Sequence, residues 1–191
     1  MTENEFGNSF ICIFSSTNSK PLNDWEYHVE NGQIKRIVDP EIHSSVVEIV
    51  SSGTENTYIT CPKDSNDKLR IKHQYVSIVV KNLKKFFIME FTVLDDTNTK
   101  RTFKASNFIK KAHVKSNMCK LPLKMVDNWN VLTFNLNDLT NQAYGTNFSE
   151  TIRITLHSNC HLRRIHFSDN NLSEDEIPIE YRLVPAVTES N

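Results

Sequence analysis

Apolar residues recurring at every second position constrain this chain more than any other feature. Leu132, Phe134 and Leu136 alternate with Thr133 and Asn135; Ile152, Ile154 and Leu156 alternate with Arg153, Thr155 and His157. Val76, Ile78 and Val80 alternate with Ser77, Val79 and Lys81. Successive side chains of a strand point to opposite faces, so this period sets one face on a core and the other in solvent. Residues 86–94 begin apolar at every position, as a central strand does. Residues 10–14, 34–38, 46–50, 57–61, 101–105 and 162–167 are further strand candidates. Turn signals separate them: Asn31-Gly32, Ser52-Gly53, the stretch Asp64 to Asp67 and the stretch Asp95 to Asn98. Many short strands at close spacing predict an all-β fold, a single antiparallel β-sandwich rather than βαβ units.

One helix is expected after residue 136. Asn137 or Asp138 caps it, Leu139 and Ala143 share a face, and Gly145 stops it. A second short turn is expected at Ser173, where Glu176 completes a capping box and Pro178 follows. Residues 1–186 read as one domain and residues 187–191 as a flexible C-terminal tail.

Composition narrows the function classes. The 191 residues carry 22 Lys+Arg against 23 Asp+Glu, a formal net charge of −1. Near neutrality argues against a dedicated nucleic-acid binder. The 38% hydrophobic and 24% charged fractions suit a globular chain and exclude a disordered or collagen-like one. No stretch reaches the roughly 18 apolar residues of a membrane helix, so no membrane partner is expected. Cys12, Cys61, Cys119 and Cys160 are far apart and require no disulfide. The acidic, polar N-terminus lacks the pattern of a secretory signal, which predicts a reducing intracellular home.

The motifs of common catalysts are missing. There is no phosphate-binding P-loop, GxGxxG, GxSxG, HExxH or calcium loop, and no cofactor is implied. His157, Cys160 and His161, with His166 nearby, would make three zinc ligands and need a fourth. The ordinary reading is a strand end and a turn, with period two sending these side chains to different faces. Trp25 and Trp129 invite a sugar platform, but buried indoles bonded to backbone carbonyls are the commoner use. Asp95-Asp96 and the run Glu174 to Glu176 invite acid–base chemistry. Adjacent exposed carboxylates are more often turn or cap residues. A hydrolase built on His157 and Cys160 ranks last, and no catalytic residue is assigned.

The basic clusters are the most suggestive polar feature: Lys35-Arg36, Lys81, Lys84-Lys85, Lys110-Lys111 with Lys115, and Arg163-Arg164. Lys84-Lys85 falls between two strand candidates, which predicts a hairpin tip. Such residues either dock an acidic partner in a salt-sensitive way or protect strand edges from aggregation.

An ordered set of strings adds to this reading. It starts with Ser19-Lys-Pro-Leu22, Trp25, Asn31-Gly32 and Ile34-Lys-Arg-Ile37. Thr57-Tyr-Ile-Thr-Cys-Pro62, Lys81-Asn-Leu-Lys-Lys-Phe86, Val93-Leu-Asp-Asp96, Arg101 and Ala105-Ser-Asn107 follow. Trp129-Asn130, Phe134-Asn-Leu136, Ala143-Tyr-Gly-Thr-Asn147 and Glu150-Thr151 come next, then His157, Asn159-Cys160, Arg163-Arg164, Phe167-Ser-Asp169 and Ser173-Glu-Asp-Glu176. In this order the set resembles the cilia- and flagella-associated protein 20 family, from about Phe6 to Leu183.

The resemblance implies a jelly-roll-like β-sandwich similar to carbohydrate-binding modules, and a non-enzymatic role. It implies a place in the axoneme and basal body, at the inner junction that closes the B-tubule of a doublet microtubule against the A-tubule. The implied partners are α/β-tubulin and other inner-junction proteins such as the parkin co-regulated protein. Lys35, Arg36, Lys81, Lys84, Lys85, Arg163 and Arg164 are the candidate contacts; Lys84, Lys85, Arg163 and Arg164 are expected on one tubulin-facing surface. Residues 108–115 are more basic than the family pattern, His161 replaces an expected arginine, and the tail is short. The alternatives are a glycan-binding sandwich and a diverged paralogue with a nuclear or basal-body role.

Overall fold

The computed structural model describes residues 9–53 and 55–183; the tail expected at 187–191 lies outside them. The strands in chain order are β1 (Phe10–Ser15), β2 (Glu26–His28), β3 (Gly32–Asp39), β4 (Ser44–Ser51), β5 (Tyr58–Cys61), β6 (Tyr75–Asn82) and β7 (Ile88–Asp95). Then come β8 (Lys100–Ser106), β9 (His113–Val114), β10 (Met118–Pro122), β11 (Asn128–Asn135), helix α1 (Leu136–Tyr144), β12 (Phe148–His157) and β13 (Cys160–Ser168). Single 3-10 turns at Glu174–Glu176 and Ile179–Tyr181 follow.

The strands form two sheets. One runs β11-β6-β13-β4-β3 with β1 also on β13; the other runs β2-β5-β12-β7-β8-β10-β9. The expected all-β sandwich is what forms, and β7 is the middle strand of its sheet. One pair departs from the antiparallel rule: β10 lies parallel to β8. The core between the sheets includes Phe14, Trp25, Ile49, Ile78, Phe91, Phe103, Ile154 and Phe167. Sequence patterning missed β2 and β9 because every residue in both is exposed, so neither carries an apolar face. It also missed the short β10.

The helix starts earlier than expected. Asn135, not Asn137 or Asp138, is the N-cap: its side-chain oxygen accepts the backbone N–H groups of Asn137 at 3.0 Å and Asp138 at 3.1 Å. Leu136 therefore opens α1 instead of ending β11. Gly145 ends the helix with φ of 67°, a left-handed conformation that a Cβ penalises. The capping box at Ser173 forms as expected.

Strand β13 decides where the basic residues go. Cys160, Leu162, Ile165 and Phe167 all face the core, although Leu162 and Ile165 are three apart. Strict alternation would turn one pair outward. A bulge between Leu162 and Arg164 in the pairing with β6 resets the phase. It leaves Arg163 and Arg164 as neighbours off the core face. β4 pairs with the first part of β13 and β1 with the rest, so β1 and the C-terminal turns lie beside the arginines.

Candidate interaction surfaces

The basic residues singled out in the sequence do not form one patch. Arg163 and Arg164 are buried, at 4% and 0% exposure. The expectation that they face a partner is corrected by their bonds. Arg164 donates through Nη2 to Glu174 Oε1 at 2.5 Å and through Nη1 to the Tyr181 carbonyl at 2.7 Å. Arg163 donates to Ser15 Oγ and the Arg182 carbonyl, each at 3.3 Å. Both hold the C-terminal segment onto the outer face of the sheet. Burial and the adjacent Arg164 charge push the Arg163 pKa down. Glu174 thus balances the buried Arg164 charge.

Lys81 is also a structural group. Its ammonium lies 2.9 Å from Asp39 Oδ2 and 3.1 Å from Glu41 Oε1, with 13% of the side chain exposed. Burial alone would lower its pKa, but the bonds to Asp39 and Glu41 raise it. The cation is neutralised in place and is not a free docking charge. It belongs to a cross-strand row: Trp129 opposes Lys81, Lys81 opposes His161, His161 opposes Glu48 and Glu48 opposes Lys35. His161 Nε2 is 3.0 Å from Glu48 Oε2, and Lys35 Nζ is 3.5 Å from Glu48 Oε1. No sequence motif announces this row, because its members come from five strands.

Lys35 and Arg36 are exposed on the edge strand β3. As adjacent strand residues they point to opposite faces and cannot grip one partner surface together. Lys84 and Lys85 are exposed as expected, but not on a hairpin. They lie on the connection from β6 in one sheet to β7 in the other. Lys84 has φ of 58° and lies 3.0 Å from Asp127, with both side chains 71% exposed. Lys110, Lys111 and Lys115 are exposed on the segment around β9.

The other candidates have structural roles. Trp25 is 1% exposed, donates its indole N–H to the Ile13 carbonyl at 3.1 Å and meets Phe14 edge-on. Trp129 is half-buried with its N–H 3.5 Å from Asp39 Oδ1. Burial raises the Asp95 pKa, but bonds from Thr97, Thr99, Arg101 and Thr146 outweigh it and hold the carboxyl well below the usual range. Asp96 accepts from the Asn147 backbone and side chain. His157 lies against Glu55 and Glu90, Cys160 is in the core, and His161 sits in the cross-strand row. Among the described residues no three potential ligands converge on a metal position. Two shallow clefts flank residues 171–178, and neither His157 nor Cys160 lines them.

The CFA20 domain model matches residues 1–185. The chain belongs to the CFA20 domain family. The Cilia- and flagella-associated protein 20 of Chlamydomonas reinhardtii is 45% identical over 190 residues, covering 100% of both chains. That of Paramecium tetraurelia is 45% identical over 183 residues, covering 96% of each. That of Caenorhabditis elegans is 42% identical over 96% of this chain and 90% of its own. Among solved structures, an exo-beta-agarase overlaps 89% of this CFA20 chain and 26% of its own at 10% identity and a TM-score of 0.39, too slight a likeness to bear on function.

Proposed function

We propose that this CFA20 chain is a non-enzymatic structural protein of cilia or flagella, forming part of the inner junction between the A- and B-tubules of doublet microtubules. The observation that carries the reading is end-to-end similarity to proteins named as cilia- and flagella-associated. Its partners on this reading are α/β-tubulin and neighbouring inner-junction proteins such as the parkin co-regulated protein, in the axoneme and basal body. A cross-braced sandwich suits a spacer that meets partners on more than one side. Lys84 and Lys85 are the tubulin-facing cations of this reading. Repeated copies along a filament make weak contacts sufficient through avidity.

The test is co-sedimentation with assembled microtubules. Replacing Lys84 and Lys85 with Glu is expected to abolish co-sedimentation and leave the unfolding midpoint unchanged. Arg163 and Arg164 must stay, because their replacement would disturb the fold. Unchanged co-sedimentation would sink the assignment of these two lysines. A density map of native doublets with another protein at the inner seam would sink the seam role.

A further inference from the structure

The loop that carries Lys84 and Lys85 also holds an apolar feature that the basic clusters alone do not explain. Phe86 is 61% exposed and Phe108 42% exposed. Their rings pack on each other at 4.9 Å between centroids and 58° between planes. The backbone beneath them is tied down. The Phe86 carbonyl accepts the Asn159 backbone N–H at 3.0 Å and its side-chain amide at 3.2 Å. Asn107 donates to the Lys85 carbonyl at 2.8 Å and accepts the Phe87 N–H at 2.9 Å. Phe87 is itself buried in the core, at 1% exposure. The two rings are therefore held out in water by a fixed frame, which saves the ordering cost of binding.

Cations flank the pair on both sides. Lys84 and Lys85 precede Phe86; Lys110 and Lys111 follow Phe108. All four are exposed, and of these four only Lys84 is in an ion pair among the described residues, the one with Asp127 in which both side chains are 71% exposed. An exposed aromatic pair whose chain neighbours on either side are exposed lysines has the layout of a binding hot spot with a steering rim. We infer that Phe86 and Phe108, with Lys84, Lys85, Lys110 and Lys111, form a docking site for an extended acidic polypeptide segment that carries an apolar side chain. The carboxylates of the segment meet the lysines and its apolar residue packs on the ring pair.

A polypeptide fits better than the other polyanions. The rings meet at 58° rather than as parallel planes for successive bases, and a formal net charge of −1 lacks the basic excess of a nucleic-acid binder. Two rings without an amphipathic helix offer too little apolar area to enter a bilayer. The inference deepens the proposed role and rests on it only for the source of the segment.

The test measures fluorescence polarisation of a labelled, glutamate-rich peptide with one central phenylalanine, using the full chain. Binding should weaken about tenfold or more in F86S/F108S, and comparably when the peptide phenylalanine becomes serine. It should also weaken with salt and in K110E/K111E. Both rings are exposed, so the variants should keep the wild-type unfolding midpoint. Peptide affinity unchanged in F86S/F108S, no binding to the wild type, or tighter binding to a single-stranded oligonucleotide or phosphatidylserine vesicles would each overturn the inference. Peptide binding by a chain that ignores microtubules would support it and count against the seam role.

Discussion

Glu174→Gln should unfold this protein far more readily than its partly exposed position suggests. Glu174 is the carboxylate bonded to Arg164, whose side chain is 0% exposed while that of Glu174 is 34% exposed. Glutamine keeps the shape and one acceptor but leaves the guanidinium buried without a counter-charge. Arg163 beside it adds a second cation bonded only to neutral oxygens. Removing one partner of a buried pair costs about 3–5 kcal/mol. Water reaches Glu174 and screens part of the interaction, which brings the expected loss to about 2–3 kcal/mol. For a chain of this size that is a fall in Tm of about 5–10 °C, read by circular dichroism. Arg164→Met removes the charge that needs balancing, so adding Glu174→Gln to it should cost under about 1 kcal/mol. Burial raises the Glu174 pKa, but the Arg164 bonds and charge lower it more. A depressed carboxyl stabilises the fold above its unfolded pKa of about 4.3 and ceases to as pH falls through the folded value. Wild type and Glu174→Gln should therefore converge in acid. A Tm within about 2 °C of wild type at neutral pH would refute the reasoning.

Two further outcomes follow from buried groups. His166 is buried against Phe10, and burial with the Arg164 charge pushes its pKa down to about 3. The unfolded chain takes up that proton at about pH 6.5, so stability should fall by about 1.4 kcal/mol per pH unit below it. His166→Phe should flatten urea-unfolding stability between about pH 6.5 and 4.5; an unchanged slope would refute this. Burial pushes the Cys61 thiol up to about 12 and Cys160 higher still. Neither should react with a thiol reagent at pH 8 until urea unfolds the chain, and rapid native labelling of either would contradict the burial.

Local signals were enough for most of the architecture. Period-two runs such as Val76, Ile78 and Val80 write the core face into the order of residues, because a strand alternates whatever it packs against. Gly145 and the Ser173–Glu176 spacing mark helix and turn ends because they act within one turn of chain. The exposure of Lys84 and Lys85 was legible for the same reason: they interrupt two apolar runs. Pairing partners are another matter. Arg163-Arg164 looks like an exposed basic dipeptide until the β13 bulge leaves both off the core face, Arg164 on Glu174 and the Tyr181 carbonyl and Arg163 on Ser15 and the Arg182 carbonyl. Lys81 looks free until β6 brings it to Asp39 at the end of β3, 42 residues away. The sequence by itself determined the strand pattern, the sandwich and the family. Only the tertiary structure decided which charges are neutralised and which remain for a partner, because electrostatic energy depends on distance and burial rather than on order along the chain.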